Sequence, residues 1–343
     1  MNTTEWAVCI IGVAVAIATG SIWLAVRRRR NTVVVPTTNP GLIQPDATPG
    51  PPGSASPAML GALLDGSVEA RDLFLTVIDL AVRGYLQLRP LAGADQSAEP
   101  YDWAVSRTDK PARGLRDFEA TLLDTPVSAG KDGPTATLSS MVNDAQDALT
   151  KALSELRGAV ARAGWFTGPG VAQQKKASWS AGGGVLMLLG LVAAVVALVA
   201  GIASSPWPGL AGAALMVVSG VVLISLTHMR PTMTAVGDQT RGEVQRYRTW
   251  LQELQPHDVA ADKADELFET NIVPSFAFGL QQQFATVFDT AVARYRNWGG
   301  SMAVATTWLD APAGTLVQRV TLLDQLLDDA TKLTRRAGFD EAS

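Results

Sequence analysis

Three long runs without a charged residue constrain this chain more than any other feature. Residues 6–26 form the first, 185–202 the second and 209–226 the third. A helix rising about 1.5 Å per residue needs roughly 20 apolar residues to cross the hydrocarbon layer, and these runs match that length. They are too long, and lack the polar face, for a helical hairpin buried in a water-soluble domain. They predict three transmembrane helices.

The basic residues next to the runs set an orientation. Arg27, Arg28, Arg29 and Arg30 follow the first run directly, Lys175 and Lys176 precede the second, and Arg230 follows the third. Cations collect on the cytoplasmic side of membrane helices, which predicts an outside N-terminus and a cytoplasmic bulk at a plasma (inner) membrane. A cleaved signal peptide has its cations ahead of the apolar stretch, the reverse of the order here, so the first run reads as an uncleaved anchor. Between the second and third runs, Pro206 and Pro208 bracket Trp207 in a short external turn.

Small residues recur on single helix faces within the runs. Gly12, Ala16 and Gly20 form one stripe, and Gly183, Gly190, Ala194, Ala197 and Gly201 form another. Such stripes let helix backbones approach closely where lipid provides no hydrophobic drive between helices. The plainer explanation is that Gly and Ala are common in such helices. No ionisable residue lies within a run, which disfavours a proton relay or an ion path.

Most of the other charged residues lie in two stretches, each with an acidic balance. Residues 57–170 hold eleven Lys/Arg against fifteen Asp/Glu, and residues 231–343 hold ten against fifteen. Nucleic acid is therefore a disfavoured partner. One cysteine, Cys9, excludes an intrachain disulfide framework, and two histidines, His228 and His257, leave little for acid–base or metal chemistry.

Five regions follow: an anchor with its arginine flank (1–30), a Pro-rich linker (31–57), a cytoplasmic domain (58–170), a transmembrane hairpin (179–230) and a helical cytoplasmic domain (231–343). In the 58–170 domain a short helix ends at Asp65–Gly66 and a second runs from an N-cap at Ser67 to about Val82. Alternation at 85–89 and 101–105 predicts a hairpin, and helices are expected at 115–123 and 138–163. Helix, helix, hairpin, helix suggests a winged-helix-like α+β module. Behind the hairpin, Val244, Tyr247, Leu251 and Leu254 form one helical stripe, and Phe276, Leu280, Phe284, Val287, Phe288 and Ala291 a second. Leu316, Val320, Leu323, Leu327 and Ala330 form a third, expected to pack on its own domain, with docking on a partner as the sharper alternative. The fold class read here is a mainly α membrane protein.

Candidate chemistry is sparse. Asp258, Asp262, Asp265 and Glu269 are four, three and four apart, placing four carboxylates on one helix face; a solvated acidic face is the plainer reading and a divalent-cation site the alternative. Gly182–Gly184 lacks the Lys and Ser/Thr of a phosphate loop. No catalytic residue and no cofactor is assigned.

Several segments together resemble a family of predicted bacterial membrane proteins, the YciQ-like proteins of domain of unknown function 2207. They are Pro57-Ala58-Met59-Leu60-Gly61-Ala62-Leu63-Leu64-Asp65-Gly66, Arg71-Asp72 through Gly84-Tyr85-Leu86, Phe118-Glu119 with Leu122-Leu123, Gly164-Trp165-Phe166, and Val273-Pro274-Ser275-Phe276-Ala277-Phe278-Gly279. The resemblance implies a winged-helix-like cytoplasmic part, a membrane hairpin and a helical domain, and it implies no activity and no functional residues. Members usually begin with a signal peptide and an extracytoplasmic β-rich domain; only residues 1–5 precede the first run here, which reads as a reduced relative without that domain.

The expected function is a non-enzymatic scaffold or partner-binding component of a bacterial envelope complex. Its expected partners are the lipid bilayer and a protein, or a second copy of the chain. The alternatives are a membrane-tethered regulator with a nucleic-acid-binding winged helix and an accessory subunit of a transporter.

Overall fold

The computed structural model describes residues 55–91, 101–130, 134–167 and 232–339, with isolated positions at 214, 218 and 219. Helix α1 (Pro57–Asp65) starts on a proline, which supplies a helical φ and has no N–H to leave unpaired. It stops at Gly66, whose φ of 73° is left-handed and whose N–H donates to Ala62 O at 2.9 Å. Helix α2 (Ala70–Val82) follows; its N-cap is Glu69, two residues later than Ser67. Gly84 (φ 77°) closes it, with Tyr85 N–H donating to Leu80 O at 2.8 Å, and turns the chain into the sheet.

Strand β1 (Leu86–Leu91) pairs antiparallel with β2 (Asp102–Arg107), Leu88 opposite Val105, so the expected hairpin is present. Helix α3 (Asp117–Ala129) follows, and β3 (Thr135–Thr137) then adds a third strand alongside β2. The helix expected over 138–163 is two helices, α4 (Leu138–Asp144) and α5 (Gln146–Arg162). The break at Ala145 (φ −117°, ψ 33°) redirects the chain: α4 packs on β2, and α5 packs on α3.

A two-stranded ribbon, β4 (Phe166–Thr167) with β5 (Thr232–Met233), pairs Phe166 with Met233. Thr234 secures it, its N–H donating to Trp165 O at 2.9 Å and its hydroxyl to Gly164 O at 2.7 Å. Helices α6 (Ala235–Glu253), α7 (Ala264–Ala277), α8 (Gln281–Asn297) and α9 (Leu316–Arg336) complete the described chain.

Contacts group described residues 55–163 with 237–339 into one compact unit, and 164–167 with 232–236 into another. The centre of the larger unit is α2. Ten of its thirteen residues are buried, and α1, α3, α5, α7, α9 and β1 all pack against it. Leu73, Phe74, Leu75, Val77, Ile78 and Leu80 have no exposed surface, so apolar residues surround the axis and do not form one stripe. The stripe on α9 packs within the same unit, against α8, α2 and α4. Between α8 and α9 the chain reaches the open edge of β1. There Leu88 N–H donates to Trp308 O at 2.9 Å and Asp310 N–H donates to Leu88 O at 2.8 Å. Part of an otherwise unpaired strand edge is thus covered.

One expectation needs correction. Three transmembrane helices are not supported: among the described residues no helix is long and apolar enough to cross a membrane. The longest described helices keep a charged face, with Arg319, Asp324, Asp328, Asp329, Lys332, Arg335 and Arg336 on α9 and Asp238, Arg241, Glu243, Arg246, Arg248 and Glu253 on α6. The apolar runs 6–26, 185–202 and 209–226 lie outside the described residues, isolated positions 214, 218 and 219 apart. The structure does not confirm the winged-helix-like reading: ten of the thirteen residues of α2, the helix ahead of the hairpin, are buried, with α7 and α9 packed against it.

Candidate functional site

Two carboxylates lie inside this apolar centre, both on α2. Asp72 is the third residue of the helix and reaches back to its start, where Oδ2 accepts the Glu69 N–H at 2.9 Å. That bond satisfies one donor the helix start would otherwise leave unpaired. Burial pushes the Asp72 carboxyl up to about 7; the Glu69 N–H opposes the shift, and the charges of Glu69 and Asp65 add to it.

Two turns on, Asp79 forms a cluster with Arg83, Glu119 and Arg116. Arg83 Nε lies 3.0 Å from Asp79 Oδ2, and Arg83 Nη2 lies 3.3 Å from Glu119 Oε1. Neither N–H is aligned for a hydrogen bond, so the attraction is essentially Coulombic. Glu119 Oε2 accepts the Arg116 N–H at 3.0 Å, and Arg116 Nη1 contacts Met59 Sδ at 2.8 Å. The cluster thus ties α1, α2 and α3 together. Burial raises Asp79 to about 6, Arg83 working against the shift and Glu119 with it. Beside the cluster, Lys110 Nζ sits 4.6 Å from the centre of the Tyr85 ring and donates to Arg83 O at 2.7 Å.

Other polar side chains are engaged in the same structural way. Asp289 accepts the Leu316 N–H at 2.9 Å and the Val317 N–H at 3.0 Å, capping α9 from α8. Asp102 accepts the Ser139 N–H at 3.2 Å at the start of α4 and pairs with the Ser139 hydroxyl. The buried Tyr247 hydroxyl donates to Asn271 Oδ1 at 2.5 Å, Asn271 Nδ2 donates to Leu267 O at 2.6 Å, and burial raises the tyrosine above its ordinary value. Chemically, these groups orient backbone and hold helices in register.

The expected four-carboxylate face does not form. Helix α7 starts at Ala264, so only Asp265 and Glu269 lie on it; Asp262 is in a short 3-10 turn (Ala261–Lys263), and Asp258 closes a turn by accepting the Gln255 N–H at 2.9 Å. Asp265 is itself engaged, accepting the Ala305 N–H at 2.7 Å. Burial and the Asp265 charge raise Glu269. Among the described residues no group of three His, Cys, Asp or Glu could hold a metal ion. His257 is exposed, 3.5 Å from Asp258.

The membrane-flanking Arg27, Arg28, Arg29, Arg30, Lys175, Lys176 and Arg230 lie outside the described residues. So do the helix-packing Gly12, Ala16, Gly20, Gly183, Gly190, Ala194, Ala197 and Gly201. Asp72 and Asp79 have no site role in the sequence reading. Two local signals point to them: Asp72 stands three residues after Glu69, as in a capping box, and Asp79 stands four before Arg83.

No curated protein and no solved structure matches the chain. A family model described as "Predicted membrane protein (DUF2207) C-terminal domain" matches residues 48–288. The matched span takes in α1 to α7 and nearly half of α8, and with them Asp72, Asp79, Arg83 and Glu119. Well over half the chain carries the match, and the protein belongs to the DUF2207 family of predicted membrane proteins.

Proposed function

We propose that the chain is a non-enzymatic, partner-binding component of a bacterial envelope complex, with its larger compact unit on the cytoplasmic face of the inner membrane. Membership in a family of predicted membrane proteins supports the location, and the cations at 27–30, 175–176 and 230 support the side.

The observation that carries the binding role is the outer end of the β1–β2 hairpin. Tyr101 is 73% exposed there, with its N–H donating to Leu91 O at 2.9 Å and Pro90 and Leu91 only half-buried beside it. A large aromatic held in place by a sheet while facing water is the type of residue that anchors protein interfaces. Meanwhile Asp72, Asp102, Glu119 and Asp289 serve the fold, consistent with a unit that presents surfaces. The burial of α2 speaks against the nucleic-acid alternative, which needed that helix in a groove.

Affinity purification of the full chain in mild detergent tests the reading. A stoichiometric partner or a homo-oligomer should be recovered, and Tyr101→Ala should reduce recovery. Repeated isolation of a lone monomer would contradict it.

A further inference from the structure

The exposed end of α8 has a distinct chemistry. The helix finishes on Arg294, Tyr295, Arg296 and Asn297, and the chain then turns through Gly299 at φ 75°. Trp298 N–H donates to Arg294 O and to Tyr295 O, both at 3.2 Å, while Gly300 N–H donates to Tyr295 O at 3.0 Å. The backbone of Trp298 is therefore defined, yet the residue is 70% exposed. The Arg294 guanidinium lies 4.4 Å from the centre of the indole ring. The turn presents one large amphipathic ring with a cation over it, and a second, exposed cation at Arg296.

The local charge differs from that of the rest of the protein. The chain carries a net −4, but between Asp289 and Asp310 there is no acidic residue, and Arg294 and Arg296 are the only charges. Indole rings favour the headgroup level of a bilayer, and guanidinium groups favour the anionic phosphates found there. A single side chain at a helix end is an anchor and not a pocket, so it suits a continuous charged surface better than a small ligand.

We propose that Arg294, Arg296 and Trp298 seat this end of α8 on an anionic lipid surface, the indole at headgroup depth and the guanidinium groups on lipid phosphates. The proposal rests on the reading that the chain works at a membrane.

Cys9 is the only cysteine, so Asn297→Cys in a Cys9→Ser background places a single environment-sensitive fluorophore beside Trp298 on the full chain. The protein is reconstituted in nanodiscs of phosphatidylcholine with or without phosphatidylglycerol. A blue shift that requires phosphatidylglycerol is expected; Trp298→Ala should abolish it, and each of Arg294→Gln and Arg296→Gln should weaken it about fivefold. Identical spectra with and without phosphatidylglycerol would overturn the proposal, as would a shift indifferent to these substitutions. A shift that persists without lipid and depends on a co-purifying protein would overturn it too, assigning the tip to a protein contact. Recovery of the unlabelled chain outside the membrane fraction would defeat the functional reading itself, whereas membrane recovery with the probe still in water would defeat only this inference.

Discussion

Gly61 and Asp72 meet where α1 packs on α2: a β-carbon at Gly61 would lie 2.5 Å from Asp72 Oδ1. Glycine suits that position because the Asp72 carboxylate lies where a β-carbon would stand, and the carboxylate is held there by the Glu69 N–H. Gly61→Ala should displace Asp72 and cost about 1–3 kcal/mol, read as a lowered Tm of the detergent-solubilised protein. An unchanged Tm would show that the contact relaxes freely.

Asp72 gives stability a pH dependence of definite sign. Its folded pKa of about 7 lies above the ordinary 3.8, so protonation favours the folded state. Its contribution is fully present below about pH 4 and is lost as pH rises through about 7, a change on the order of a few kcal/mol. Asp72→Asn keeps an acceptor for the Glu69 N–H without the charge. It should flatten the stability profile between pH 5 and pH 8 and be more stable than the parent at pH 8. Thermal unfolding across that range decides; a profile unchanged by the substitution would contradict the assignment.

Arg83 balances two acids that burial would otherwise strand. Its side chain is 36% exposed, which weakens the attraction, while Glu119 is only 4% exposed. Arg83→Gln should cost about 1–2 kcal/mol at pH 8 and less at pH 5, where Asp79, with a pKa of about 6, takes up a proton. Adding Asp79→Asn should recover part of the loss, and a double-mutant cycle measures the coupling. Strict additivity would show that the cluster is not coupled.

Core truncations distinguish packing from docking. Phe74→Ala on α2 removes a side chain with no exposed surface and should cost about 3–5 kcal/mol. Leu323→Ala on α9 should cost about 2–5 kcal/mol, because that stripe faces its own unit. If α9 were a partner-docking helix, Leu323→Ala would leave the Tm unchanged and weaken binding instead.

Local signals in the sequence foretold the local structure. Pro57 and Gly66 bound α1, Gly84 ends α2, and alternating Leu86 and Leu88 mark β1. Long-range closure was not legible. Trp308 and Asp310 cover the edge of β1 at Leu88 across more than two hundred residues, and no local periodicity encodes such a pairing. The burial of α2 shows the same limit: Leu73, Val77, Leu80 and Ala81 announced one apolar face, but Phe74, Leu75 and Ile78 are buried too, because α7 and α9 arrive from the far end of the chain. Lone carboxylates are usually exposed, so Asp72 and Asp79 give no sign of burial, and only the folded backbone shows how Glu69 and Arg83 hold them inside. The acidic spacing at 258–269 misled for the opposite reason, since a helical period was assumed across a stretch where α7 had not yet begun.

A photo-crosslinking amino acid at position 101 tests the binding role where it acts. The full-length protein, irradiated in native membranes, should give one discrete adduct whose mass identifies a partner chain or a second copy. The same probe at position 87, on an exposed residue of β1 away from the hairpin end, should give none. Protein present in the membrane fraction but never crosslinked through position 101, or crosslinked equally from both positions, would contradict the account.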